Sequence, residues 1–205
     1  MKKLFLAIAT QEGLEPSGPQ IIKKLRMNAD QRDLDIRWVP LENYHVTLVF
    51  LGNTPEDKLP EIEAIMHESA SATSPFQLKI SDIGAFPDEF SSRVLWFGVQ
   101  NSRTLRALQD NLSQKFRDHH YRLEDRAYSP HLTIARLRNP HKTKDMMSPF
   151  RRKKIGKVSV SEIVLYESVG SAPFPVYKPL LRVPLTGEPV NLDEDSSENS
   201  FSEAE

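Results

Sequence analysis

Apolar positions along the chain switch repeatedly between a spacing of two and a spacing of three and four. Leu4-Phe5-Leu6-Ala7-Ile8-Ala9 is a short apolar run and predicts a buried first strand. Ile21, Ile22, Leu25 and Met27 give an imperfect helical stripe, which predicts a helix over about 19–31. Ile36–Val39 reads as a short extended piece before Pro40, and His45–Leu51 as a strand closed by Gly52-Asn53. Thr54 is placed as an N-cap with Pro55 at the first helical position, opening a helix to about Ala70 that buries Leu59, Ile62, Ile65 and Met66. Phe76–Phe86 and Arg93–Val99 read as strands joined by a polar turn at Pro87-Asp88-Glu89. A further helix starts near Ser102, with Leu105, Leu108, Leu112 and Phe116 on one face, and ends near His119-His120. Strands over His131–Arg136, Lys157–Glu167 and Tyr177–Pro184 follow, with a basic loop after the first of them. Strands and helices without regular alternation predict an α+β fold with mainly antiparallel pairing, and His-Thr segments recurring in separate strand and helix contexts suggest two lobes around one cleft. Residues 1–186 form the expected single two-lobed domain, and 187–205 an acidic, disordered tail.

Two of these strands open on the same phrase. One reads Tyr44-His45-Val46-Thr47-Leu48-Val49-Phe50-Leu51, the other Pro130-His131-Leu132-Thr133-Ile134-Ala135-Arg136. Side chains alternate across a strand, so in each segment the imidazole and the hydroxyl share one face while the apolar neighbours share the other. One such tetrapeptide fits an ordinary hydrogen-bonded strand histidine. Two of them predict a site assembled from two copies of one device.

Composition narrows the chemistry. The 205 residues include no cysteine, which excludes disulfides, thiolate metal sites and cysteine catalysis. The N-terminal apolar run is too short for a signal peptide and no stretch suits a membrane helix, so a soluble, cytoplasmic protein is expected. The net charge of -1 hides an asymmetry: residues 190–205 hold six acidic residues and no Lys or Arg, leaving 27 basic against 22 acidic elsewhere. Between Arg136 and Lys157 nine basic residues face only Asp145. That stretch, with the run Arg151–Lys154 inside it, reads either as a polyanion-binding surface or as a solvated edge.

Two imidazoles and two hydroxyls converging on one volume suit in-line displacement at phosphorus. One neutral imidazole accepts the proton of the nucleophile and a second, charged one protonates the leaving oxygen. The threonine hydroxyls bond non-bridging phosphoryl oxygens, and Arg136 adds a fixed positive charge. In a regular strand Arg136 points away from His131 and Thr133, so this role requires a bulge near Ala135. No metal is expected, because His45 and His131 lack a close-spaced ligand partner or a suitable carboxylate. His67, His119, His120 and His141 fit helix surface, helix end or loop.

With these residues in place, the chain resembles the 2H phosphoesterase superfamily, defined by two His-x-Thr motifs, and within it the RNA 2′,3′-cyclic phosphodiesterases, also described as 2′-5′ RNA ligases. The resemblance extends over most of residues 1–186. It includes Leu4–Ile8, Arg37-Trp38-Val39, Gly84-Ala85-Phe86-Pro87, Arg93-Val94-Leu95-Trp96, Leu165-Tyr166-Glu167-Ser168 and Tyr177 besides the two motifs. It implies a two-lobed α+β fold with mainly antiparallel sheets around a central cleft and helices outside, and metal-independent hydrolysis of RNA 2′,3′-cyclic phosphate ends, with tRNA fragments as one candidate, to 2′-phosphates. It assigns His45 as proton donor to O3′, His131 as acceptor from water, and Thr47, Thr133 and Arg136 to the phosphate. Phe5, Trp38 and Phe86 are candidates for stacking on the terminal base, although Trp38 and Phe86 equally suit core packing. The resemblance needs no cofactor, and the absence of heptads suggests a monomer. The alternatives are ligation in the reverse direction, a non-catalytic RNA-end-binding module using residues 136–157, and action on small cyclic nucleotides or ADP-ribose derivatives.

Overall fold

The computed structural model describes residues 1–14, 17–100, 102–170 and 174–188. Among these residues nine strands form one antiparallel sheet: β1 (Lys2–Ala9), β2 (Ile36–Trp38), β3 (His45–Thr54), β4 (Phe76–Phe86), β5 (Ser92–Val99), β6 (His131–His141), β7 (Lys154–Val160), β8 (Glu162–Val169) and β9 (Val176–Pro184). Their order is β7-β4-β5-β6-β3-β1-β8-β9, with β2 added alongside β6. The sheet therefore divides into two four-stranded halves that meet where β3 lies beside β6. The two His-x-Thr segments open these two central strands.

The seam is short. Val46 pairs with Leu132. Further along, β6 pairs instead with β2, through Trp38 opposite Ala135, Arg37 opposite Arg136 and Ile36 opposite Leu137. The Val39 N–H donates to the Ile134 carbonyl at 2.9 Å. Thus β3 and β6 splay apart beyond their first residues, and the gap between the halves becomes a cleft.

Helices α1 (Ser17–Asp30), α2 (Leu59–Ser71), α3 (Arg103–Asp118) and the short α4 (Lys144–Met147) complete the fold. α2 and α3 pack on each other and bury their apolar stripes against the sheet. In α3 the Ser102 hydroxyl accepts from the Leu105 N–H at 3.1 Å, an N-cap that agrees with the expected helix start near Ser102, and Leu105, Leu108, Leu112 and Phe116 are buried at helical spacing. The same core takes Leu4, Leu6 and Ile8 from β1, Val46 and Leu48 from β3, and Leu132 and Ile134 from β6. The alternate residues Phe5 and Ala7 form a second cluster with Val164, Tyr166 and Tyr177. Strand alternation thus fixes which face is core and which is left for chemistry.

Several boundaries differ from the sequence expectation. Thr54 is no helix cap: it ends β3, is buried, and its hydroxyl donates to the Gly52 carbonyl at 3.3 Å. Glu56–Lys58 forms one tight turn, and α2 starts at Leu59. The expected strand 157–167 is two strands broken at Ser161; β7 pairs with β4 and β8 with β1, in opposite halves of the sheet. The apolar phase slips there, from Val158 and Val160 to Ile163 and Leu165. β6 runs on to His141, shortening the basic loop. Of the acidic tail expected over 187–205, residues 189–205 lie outside the described residues.

Candidate active site

Register brings the two motifs together. Because Val46 and Leu132 are partners in an antiparallel pair, one step either way sets Thr47 beside His131 and His45 beside Thr133. Val46 and Leu132 are fully buried toward the helices, whereas all four polar side chains are half-buried on the opposite face. Diagonal partners across such a pair stand about 7–8 Å apart, a span that accommodates one phosphoryl group between the two imidazoles.

The histidines are held identically. His45 Nδ1 lies 2.7 Å from the Asn43 carbonyl oxygen, and His131 Nδ1 lies 2.8 Å from that of Ser129. A carbonyl only accepts, so each neutral ring carries its proton on Nδ1 and keeps the Nε2 lone pair free to accept a proton. Phe5 lies 5.0 Å from His45 between ring centres, and Tyr177 5.1 Å, edge-on. Phe86 sits edge-on to His131 at 4.9 Å. Burial lowers the pKa of His45 to about 4, against the opposing pull of the Asn43 carbonyl and with help from the charges of His131 and Arg136. His131 is lowered chiefly by burial, with a further push from Arg136. Both rings are therefore neutral near pH 7 in the free protein, and a bound anion is what favours protonating one of them.

The required bulge is present. Leu95 pairs with Ala135 and Trp96 with Thr133, so β6 carries an extra residue at Ile134. Ile134 and Ala135 are both buried, and Arg136 emerges on the face of His131 and Thr133. β3 carries the same irregularity: Leu6 pairs with Val49 and Ala7 with Thr47, leaving Leu48 extra. Phe50 consequently occupies in β3 the place that Arg136 occupies in β6. The two devices match in backbone and differ in this one side chain.

A cleft of about 660 Å³ runs from this point between the splayed strands. Its lining includes His45, Thr47, Arg136 and Phe5 together with Arg37, Arg138, Lys3, Phe50 and Tyr177, with no Asp or Glu among its described lining residues. His131 and Thr133 flank its end without lining it. Arg138 is paired with Asp35 at 3.6 Å, and Lys3 lies 5.7 Å over the Phe50 ring. The arrangement selects anions. Among the described residues, no three His, Cys, Asp or Glu side chains cluster as a metal site.

Trp38 is not brought to this site. Its neighbour Arg37 takes the cleft face, so Trp38 packs on the core with Arg26 5.6 Å over its ring. The basic stretch divides: Arg136 and Arg138 enter the cleft, whereas Arg151 pairs with Glu89, Lys144 lies 3.9 Å from Glu89, and Lys142 lies 3.9 Å from Asp145. Sequence reasoning missed the carbonyls of Asn43 and Ser129, which no residue type encodes. It also missed Arg37 and Lys3 as cleft cations. For Lys3 the available signal was period-two parity with Phe5 on the same strand; for Arg37, on the three-residue β2, there was none.

The model of the 2′-5′ RNA ligase superfamily matches residues 14–172 of the chain. An RNA 2′,3′-cyclic phosphodiesterase of Methanothermobacter thermautotrophicus is 32% identical over 178 residues, which is 85% of this chain and 94% of that one. A protein of the same name from Thermotoga maritima is 30% identical over 186 residues, 90% and 96% of the two chains. Among solved structures, one from Thermus thermophilus superposes with a TM-score of 0.70 at 24% identity, over 91% of this chain and 99% of that one. E. coli LigT complexed with 3′-AMP gives 0.66 at 24% identity, over 90% and 98%. These two structures bear on the fold, and they share it.

Proposed function

The chain belongs to the 2′-5′ RNA ligase superfamily, and from that premise we propose that it hydrolyses 2′,3′-cyclic phosphate ends of RNA to 2′-phosphates without a metal. The observation that carries this reading is the matched pair of imidazoles, each anchored through Nδ1 to a backbone carbonyl and each offering Nε2 to the face shared with Thr47 and Thr133. The relatives' names support the substrate class.

His131 takes a proton from water as the oxygen attacks phosphorus, and His45, as imidazolium, gives its proton to the departing O3′. The bound phosphate supplies the negative charge that offsets the cost of protonating His45 in its aromatic surround. Thr47 and Thr133 donate to the non-bridging oxygens from opposite sides of the seam. Arg136 holds the charge that builds up on them, and Arg37 and Arg138 lie along the cleft where the preceding RNA backbone runs. Assignment of the two histidines follows the asymmetry of the site: the cation-lined cleft that suits the RNA chain, and hence its ribose, adjoins His45.

The test is to replace each histidine separately. Purified, EDTA-treated protein should open an oligonucleotide 2′,3′-cyclic phosphate, and H45A and H131A should each lose about 10³-fold or more of that activity. Activity of wild-type level in either variant sinks the mechanism, and loss on EDTA treatment with recovery on zinc points to metal catalysis instead. No helix among the described residues is long and apolar enough to cross a membrane.

A further inference from the structure

The two half-sites match in their histidines and threonines, but the segments that deliver the histidines are held differently. Residues 122–130, which lead from α3 to His131, form neither strand nor helix, and among the described residues their backbone makes no backbone hydrogen bond to another element. Yet the Ser129 carbonyl of this segment is what holds His131 Nδ1. One side-chain hydrogen bond ties the segment to the opposite half of the sheet: the Tyr128 hydroxyl donates to the Thr47 carbonyl on β3 at 3.1 Å. The Tyr128 ring packs on the core. Burial raises the pKa of its phenol above the ordinary value, so the hydroxyl stays a neutral donor near neutral pH.

These contacts close a ring. Thr47 follows Val46, Val46 pairs with Leu132, and Leu132 follows His131; His131 is held by Ser129, whose neighbour Tyr128 returns to Thr47. The ring encloses one diagonal pair of the site, His131 with Thr47. The other pair, His45 with Thr133, has no equivalent. Glu42 stands three residues before His45 as Tyr128 stands three before His131, and a carboxylate cannot donate to a carbonyl. Glu42 is exposed, and its carbonyl accepts from Gln11 Nε2 at 3.1 Å within its own half of the sheet. We propose that Tyr128 is a positioning residue for the reaction, its hydroxyl setting the separation of His131 from the Thr47 hydroxyl across the seam. The inference rests on the function proposed above, in which His131 takes the proton of the attacking water and Thr47 donates to an oxygen of the same phosphorus. In-line attack requires both groups at fixed places, and a misplacement of about 1 Å costs up to about 10²-fold in rate.

Tyr128→Phe removes one oxygen and keeps the buried ring. With a short oligoribonucleotide ending in a 2′,3′-cyclic phosphate, Y128F should lose about tenfold in kcat while KM stays within about twofold. Because the hydroxyl acts through Thr47, adding Y128F to T47V should cost less than about twofold more. By NMR, the His131 Nδ1 proton should exchange with water several-fold faster in Y128F, and that of His45 should not change. A kcat within about twofold of wild type, an equal cost of Y128F in the T47V background, or equal effects on both histidines overturns the inference. In the unaltered protein the Tyr128 hydroxyl proton should be protected from exchange. A hydroxyl exchanging at the rate of a free phenol overturns the inference even if Y128F fails to fold. A wild-type chain that opens no 2′,3′-cyclic phosphate overturns the catalytic reading instead, and the exchange measurement still reads the tyrosine bond.

Discussion

Val46 lies opposite Leu132 on the seam between β3 and β6, and both side chains are fully buried. An approximate twofold axis through this pair exchanges His45 with His131, Thr47 with Thr133 and Phe50 with Arg136. It also exchanges β1 with β5 and β8 with β4, the strands that flank each half. The apolar pair thus sets the separation of four polar groups that never touch it.

That dependence gives a stability prediction. Leu132→Ala removes a fully buried side chain at the junction of the halves and should cost about 2–5 kcal/mol of unfolding free energy, read by urea denaturation. A cost below about 1 kcal/mol contradicts the packing described here.

The threonines should behave as near equivalents. Thr47→Val and Thr133→Val keep shape and lose one hydroxyl bond to a charged phosphoryl oxygen, worth about 1.5–3 kcal/mol. Each variant should lose about 10- to 100-fold in kcat/KM for a 2′,3′-cyclic phosphate. A large loss in one and none in the other breaks the symmetry argument.

Arg136 has no such counterpart, because Phe50 fills its place in the other half. Arg136→Leu should lower kcat by about 10²-fold or more, and Arg136→Lys should restore only part, since the ammonium keeps charge without the planar fork. Removing this charge should also raise the pKa of both histidines, visible as upward shifts in their NMR titrations.

Titration of the free protein carries its own sign. His45 should titrate near pH 4, below its ordinary value near 6.5, and move upward when inorganic phosphate occupies the site. Between those values the unfolded chain binds more protons than the folded one, so His45 makes the protein lose stability as pH falls from about 6.5 to about 4 and leaves it unaffected above. A His45 midpoint near 6.5 in the unliganded protein contradicts the buried, aromatic setting assigned to it.

The core of the site was legible because strand parity is a two-residue rule. His45 with Thr47, and His131 with Thr133, follow from it directly, and so does the need for a bulge to turn Arg136. The matching bulge in β3 shows only as two adjacent apolar residues, Leu48 and Val49, which read equally as strand end. Trp38 reads equally as a stacking or a core residue in the sequence because β2 is too short for alternation to declare a face. The break at Ser161 was hidden because β7 and β8 are apolar on both sides of it, and only tertiary pairing with β4 and β1 separates them. The carbonyls of Asn43 and Ser129 were invisible because backbone groups have no identity in a sequence.

The most direct test of the central claim is the position of the product phosphate. EDTA-treated protein is incubated with a short oligoribonucleotide ending in a 2′,3′-cyclic phosphate, and the product is compared with authentic 2′- and 3′-phosphate standards. Protonation of O3′ by His45 predicts a 2′-phosphate end as the sole product. A 3′-phosphate end, or an intact cyclic phosphate, contradicts the account.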